Sequence, residues 1–185
     1  MKKVTIYDRQ PGAGAWQKFL MTSWLVGCWL QKLFGQVDDY HGATSWDDAL
    51  AWLQKQGQLD SIQYWGHGSP GQVYLAGFML PVGFLGPIKS QVTPLTVVWF
   101  RTCSTFQGGP GDRFSGALAN QLGCIIAGHT RVIGPLQGGL HTRKPNTPAS
   151  WPLTDGEMPP GLIPVYWRWG NNTVTCLATK IPPGW

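Results

Sequence analysis

Residues 95–104 read LTVVWFRTCS, an apolar run that passes into Arg101, Thr102 and Cys103. A continuous run of β-branched and aromatic residues is typical of a central strand that is buried on both faces of a parallel sheet. We therefore expect this strand to lie in the middle of the molecule, with Cys103 immediately beyond its carboxyl end.

Strands and helices alternate on both sides of this run. Further strands are predicted at Val4–Tyr7, Ser61–Trp65 and Cys124–Ala127. A helix from about Ala15 to Phe34 follows the first strand, and Ser45 begins a second helix as its N-cap. This βαβα order predicts an α/β fold with a mainly parallel sheet flanked by helices.

Length and composition favour one globular domain that spans residues 1–185. Hydrophobic residues make up 43% of the chain and charged residues only 12%, which is typical of a packed domain rather than of disorder. The net charge is +5, but the basic residues are scattered, so nucleic-acid binding is not expected. The sequence assigns no oligomeric state.

The cysteines and the first helix indicate the cellular setting. Four cysteines without a C-x-x-C pair favour reduced thiols, with no metal and no cofactor. The longest apolar run, Phe19–Leu30, is shorter than the ~20 residues of a membrane span. The first helix is apolar on nearly all sides, so we expect it to be buried in the core of a cytoplasmic protein.

The last fifty residues differ in composition from the rest of the chain. Pro135–Pro164 is rich in proline, glycine and polar residues, which predicts a long ordered loop. Val165–Trp169 and Thr173–Ala178 flank Gly170-Asn171-Asn172, so a C-terminal β-hairpin is predicted.

His67 and Cys103 are the residues most suited to chemistry. Each follows the carboxyl end of a predicted strand, and their separation fits a single crossover between neighbouring strands. An imidazole near a thiol lowers the pKa of the thiol or protonates a leaving amine, and Gly68 lets a backbone N–H face an oxyanion. Together these features predict nucleophilic catalysis.

Three stretches have a more specific pattern: YWGHGSPG at residues 64–71, FRTC at 100–103 and GDRFSGALA at 111–119. In this order they resemble the caspase-like superfamily of cysteine peptidases (clan CD), nearest to bacterial domains with an S-H-G-x-P-G turn. The resemblance covers roughly residues 60 to 130. It implies a caspase-like sheet in which Cys103 is the nucleophile and His67 the general acid/base. The backbone amides of Gly68 and Cys103 would form the oxyanion hole.

The resemblance also suggests substrate-binding residues. In related arginine- or lysine-specific peptidases an acidic residue near the end of the first strand helps to form the pocket, and Asp8 occupies a comparable place. Asp112 is a second acidic candidate. His129, which also follows a strand, and His141 could join the site.

The expected function is that of a thiol protease, a hydrolase that cleaves peptide bonds in a protein or peptide substrate. The alternative is a non-catalytic caspase-like module that binds a protein partner through its long Pro135–Pro164 loop. A nucleic-acid effector is a weaker third possibility, suggested only by the net charge.

Overall fold

The structure is a computed structural model that describes residues 1–10, 12–157 and 169–185. The elements of its first half are β1 (Lys2–Asp8), α1 (Ala15–Leu33), β2 (Asp39–Ala43), α2 (Trp46–Gln54), β3 (Leu59–Trp65), β4 (His67–Ser69), β5 (Gln72–Leu75) and β6 (Phe78–Met79). A 3₁₀ helix (Gly86–Gln91) leads to β7 (Val97–Arg101), α3 (Gly108–Leu122), β8 (Ile125–His129), β9 (Leu136–Gln137), β10 (Leu140–Arg143) and β11 (Val174–Thr175).

The main sheet has six strands in the order β10-β8-β7-β3-β1-β2. Five of them run parallel, and β10 pairs antiparallel with β8 at one edge. The apolar run at residues 95–104 supplies β7, which lies between β8 and β3 as a buried interior strand. The predicted α/β class with a mainly parallel sheet flanked by helices is confirmed.

The two faces of the sheet are covered differently. Successive side chains of a strand point to opposite faces, so Val4 and Ile6 of β1 join the larger core cluster, which includes residues of α2 and α3. Tyr7 of the same strand packs instead with Cys28 of α1 and with Trp65. Helix α1 and residues 174–185 cover this second face.

Helix α1 is not buried, contrary to the expectation from its composition. Only Gly27, Cys28 and Gln31 are fully buried, and most of its large apolar side chains are exposed. Gly27 lies so close to Trp65 that a β-carbon would meet the indole at 2.7 Å. The helix therefore contacts the sheet along a narrow stripe, and no second layer packs on its outer side among the described residues.

Residues with known helix-capping preferences lie at the start of α2 and at the end of α3. The Oγ atom of Ser45 accepts a hydrogen bond from the backbone N–H of Asp48 at 3.1 Å, which confirms the predicted N-cap of α2. Helix α3 ends at Gly123, whose φ of 70° is favourable only for glycine.

The C-terminal predictions need correction. The region predicted as a loop contains β9 and β10, and β10 is the sixth strand of the main sheet. The first strand of the predicted hairpin, Val165–Trp169, lies outside the described residues except for Trp169, which is not in a strand. Its second strand is reduced to β11, which pairs antiparallel with β9.

Across the described residues, we find no helix that combines the length and the apolar character needed to cross a bilayer.

Candidate active site

The sheet register places His67 and Cys103 at the same edge. Strands β3 and β7 pair in parallel, and Trp65 is the register partner of Arg101. His67 lies two residues beyond Trp65, and Cys103 lies two residues beyond Arg101. The carboxyl ends of β3 and β7 are therefore neighbours, as expected.

A small antiparallel sheet follows β3 and faces the loop after β7. It contains β4, β5 and β6, and His67 of β4 is paired with Tyr74 of β5. The backbone N–H of Gly71 donates to the carbonyl of Thr105 at 3.0 Å. This hydrogen bond ties the turn between β4 and β5 to the loop that carries Cys103.

Gly68 makes the closest contact between the two segments. A β-carbon at this position would lie 2.5 Å from Thr105 Oγ1, 2.7 Å from Thr102 Cβ and 2.9 Å from the carbonyl oxygen of Cys103. No side chain fits in that space. Glycine at residue 68 is thus a packing requirement that brings the backbone of β4 against the backbone of Cys103.

The His67 ring is partly exposed and packs against Trp24. Their ring centroids are 5.3 Å apart at an interplanar angle of 76°, an edge-to-face contact. Trp24 lies on the inner side of α1. The helix therefore holds the imidazole at the edge of the sheet, on the face opposite to α2 and α3.

The Cys103 thiol is mostly buried. Its Sγ atom lies 3.9 Å from the carbonyl oxygen of Ile133, and burial raises the pKa of the thiol. The next residue, Ser104, has a φ of 54°, and its backbone N–H donates to the carbonyl of Arg131 at 2.9 Å. The turn after β7 is thus fastened to the segment that follows β8.

The two candidate side chains are not hydrogen-bonded to each other within the described part of the chain. The imidazole packs on Trp24, and the thiol points to Ile133. The expected lowering of the thiol pKa by a neighbouring imidazolium is wrong for this resting arrangement, because burial raises that pKa. At neutral pH the thiol carries its proton.

Arg101 ends the strand that leads to Cys103, and its guanidinium is fully buried. It stacks on Trp99 at 3.7 Å from the ring centroid. Its hydrogen-bond acceptors are Gln63 Oε1 at 2.7 Å, Gln137 Oε1 at 2.6 Å and the carbonyls of Cys176 and Ala178. All nine acidic residues lie in the described ranges, and none forms an ion pair with it. Burial lowers the pKa of Arg101 to about 9.

The acidic candidates have other partners. Asp8 is fully buried, and its carboxylate accepts hydrogen bonds from the backbone N–H of Ala76 at 3.0 Å and from Gln10 Nε2 at 2.9 Å. Asp112 lies 2.9 Å from Arg143 Nη1 in an ion pair. Each carboxylate thus has a partner within the chain in this arrangement, and their assignment to substrate specificity stays a prediction.

His129 is a core residue rather than a substrate-binding one. It is fully buried, its Nε2 accepts from the Trp99 indole N–H at 3.2 Å, and its Nδ1 donates to the carbonyl of Gly138 at 3.0 Å. Burial lowers the pKa of His129 to about 3. The ring is neutral, and both of its nitrogens are engaged.

Sequence reasoning missed Asp155, which organises a polar cluster. It accepts hydrogen bonds from His141 Nε2 at 2.7 Å, Thr130 Oγ1 at 2.8 Å and Arg131 Nη2 at 3.0 Å. Burial acts to raise the pKa of Asp155, but these three donors outweigh it and the pKa is lowered. A cleft of about 420 Å³ borders Asp155, His141 and Arg131. Because the Arg131 carbonyl is bound to Ser104, this cluster adjoins the Cys103 turn.

No group of three or more His, Cys, Asp or Glu side chains in the described ranges is placed to hold a metal ion. The chain matches no protein-family model, no curated protein and no solved structure.

Proposed function

We propose that this protein is a cytoplasmic cysteine endopeptidase of caspase-like architecture, with Cys103 as nucleophile and His67 as general acid/base. One observation carries the proposal. The imidazole and the thiol follow neighbouring parallel strands at the same edge, and Gly68 packs directly on the Cys103 backbone. Active sites of open parallel sheets lie at the carboxyl ends of their strands.

The proposed chemistry begins with a protonated thiol. As Cys103 Sγ attacks the peptide carbonyl, His67 takes the thiol proton, a C–S bond forms and the carbonyl electrons move onto oxygen. The backbone N–H groups of Gly68 and Cys103 stabilise this oxyanion. The imidazolium of His67 then protonates the amine as the C–N bond breaks. Water, deprotonated by His67, then attacks the thioester carbon and forms a C–O bond. The C–S bond breaks, and the His67 imidazolium returns its proton to Cys103 Sγ.

Trp24 has a positioning role in this mechanism. Its indole contacts the His67 ring, so it restricts the imidazole to the edge where a bound peptide would bring it to the thiol. Catalytic groups are often loosely aligned without substrate and close up when it binds. The buried thiol of Cys103 is consistent with a nucleophile that is activated only when substrate binds.

The test is cleavage of a peptide library by three variants. Cys103→Ala and His67→Ala should each lose activity, whereas Cys124→Ala should keep it, because Cys124 is also a free thiol but comes before the amino end of β8, at the opposite edge of the sheet from Cys103. Circular dichroism should show that all three fold alike. Cleavage by Cys103→Ala at the wild-type rate would contradict the proposal.

A non-catalytic caspase-like binding module is the second candidate. The observations that favour it are the raised pKa of the Cys103 thiol and the separate partners of the two side chains. For such a module, no peptide in the library would be cleaved by the wild-type protein, and a partner captured by the wild type would still bind Cys103→Ala.

A further inference from the structure

Helix α1 presents an apolar surface outward. Its exposed large residues, with the exposed fraction of each, are Trp16 (70%), Phe19 (61%), Leu25 (39%), Val26 (47%), Trp29 (50%), Leu33 (60%) and, just past the helix end, Phe34 (64%). Isolated exposed apolar residues are ordinary, but a contiguous set on one helix marks a contact surface.

The outermost stripe of this surface has a regular spacing. Ala15, Phe19, Thr22, Val26, Trp29 and Leu33 are all exposed and follow one another at intervals of four and three residues. This is the spacing at which one helix packs along another. The only polar side chain of the stripe, Thr22, donates its hydroxyl to the carbonyl of Lys18 at 2.8 Å. Covering the stripe would therefore leave no unpaired hydroxyl.

The size of the surface matches half of a stable interface. Taking up to roughly 250 Å² for a fully exposed aromatic side chain, the exposed fractions amount to an area on the order of 800 Å². This exceeds the roughly 300–600 Å² of the largest patch on a typical monomer. It equals the area of about 800 Å² that each partner contributes to a standard protein interface.

We propose that this surface, defined by the seven residues above, binds the same surface of a second copy of the chain, so that the protein forms a two-fold symmetric dimer through α1. A two-fold axis makes one self-complementary patch sufficient for both partners. The axis would cross the stripe near its midpoint, between Thr22 and Val26.

The charges favour antiparallel helices. Helix α1 contains no acidic residue, and its only charged residues are Lys18 and Lys32. Lys32 is paired with Asp39 at 2.7 Å. Parallel packing would set each lysine beside its own copy. Antiparallel packing separates the two Lys18 side chains and sets each of them near the Lys32–Asp39 ion pair of the other copy, which carries no net charge. A lipid surface is less well matched, because polybasic clusters, which anionic membranes attract, are absent from the helix.

The test is sedimentation velocity of the full chain from low to high micromolar concentration. We expect a reversible dimer whose association is not weakened by salt, because apolar contact drives it. Val26→Glu should raise the dimer Kd by ~100-fold, since it buries a carboxylate without a partner. Val26 is already half exposed in the monomer, so its fold and thermal unfolding should be unchanged. Val82→Glu is the matched control, because Val82 is fully exposed outside α1, and it should dimerise normally.

Results of two kinds would overturn the proposal. One is a wild-type chain that stays monomeric throughout this range, or a dimer that survives Val26→Glu. The other is a monomer that floats with phosphatidylserine-containing vesicles and loses this binding in Val26→Glu, which would assign the surface to lipid.

Discussion

The α-carbon of Gly68 faces the carbonyl oxygen of Cys103 at such short range that a β-carbon on residue 68 would lie 2.9 Å from that oxygen. The strand that begins with His67 and the turn that carries the thiol are therefore packed together through their main chains. This contact is the geometric basis for treating the two residues as one site.

Gly68→Ala should separate these segments. We expect a loss of about 1–3 kcal/mol in the free energy of unfolding, because the methyl group would overlap backbone and Thr105. Peptide cleavage should fall by on the order of 100-fold, since small displacements of catalytic groups have large kinetic effects. Urea unfolding and cleavage rates measure the two effects.

Gly14→Ala is the control for this substitution, because nothing lies within 4 Å of a β-carbon there. It should leave peptide cleavage unchanged and lower the free energy of unfolding by less than about 1 kcal/mol, because Gly14 is the N-cap of α1 and alanine is a poorer N-cap than glycine. Wild-type stability and activity in Gly68→Ala would show that the contact between β4 and the Cys103 turn is not required.

Three of the four thiols, Cys28, Cys103 and Cys124, should react with iodoacetamide in an order set by their environments. Burial raises the pKa of both Cys28 and Cys124 to about 12, and both are fully buried, so they should be protected in the folded protein. Cys103 is partly accessible and should react. The midpoint of its pH profile should lie above the value of ~8.5 for a free thiol, because burial raises its pKa. Mass spectrometry of the alkylated peptides reports each rate.

His67→Ala tests whether the imidazole acts on the resting thiol. Because no hydrogen bond joins the two side chains, the alkylation profile of Cys103 should stay close to that of the wild type while cleavage is lost. A large shift of the profile would show instead that the pair is already coupled before substrate binds.

Acid should destabilise the fold through His129. The folded state keeps this ring neutral because burial lowers its pKa to about 3, whereas the unfolded state takes up a proton below about 6.5. The unfolded state thus binds more protons in this window. The free energy of unfolding should therefore fall by up to about 1.4 kcal/mol for each pH unit between about 6.5 and 3.

His129→Gln should remove this contribution while its amide can still pair with Trp99 and Gly138. Between pH 6.5 and 4 its urea unfolding should depend less on pH than that of the wild type. Parallel pH profiles of the two proteins would mean that another group carries the acid sensitivity.

Four of the six strands of the main sheet could be predicted from local patterns, whereas β2 and β10 could not. The buried runs and the glycine-rich breaks after them locate β1, β3, β7 and β8, and therefore the edge where His67 and Cys103 lie. Residues 136–143 form strands despite their proline- and glycine-rich surroundings, because β10 pairs with β8 at the edge of the sheet. That pairing is a tertiary contact without a local sequence pattern.

The failed predictions share a physical cause. Composition cannot show how many layers cover a helix, so an apolar α1 was expected to be buried, although only one of its sides meets the sheet. The carboxylates of Asp8 and Asp155 accept hydrogen bonds from donors that are distant in the sequence, such as the backbone N–H of Ala76 and the ring of His141. Such long-range pairs leave no pattern in the sequence.

Backbone carbonyls of the protein solvate the buried guanidinium of Arg101. The carbonyls of Cys176 and Ala178 take the place of water around a cation that has no counterion among the residues that the structure describes. Residues 176–178 thus solvate the Arg101 guanidinium inside the protein, and this positive charge lies two residues before Cys103 in the sequence. Displacing these carbonyls would leave the guanidinium short of acceptors at the end of β7, so the strand that leads to Cys103 depends on a segment more than seventy residues away along the chain.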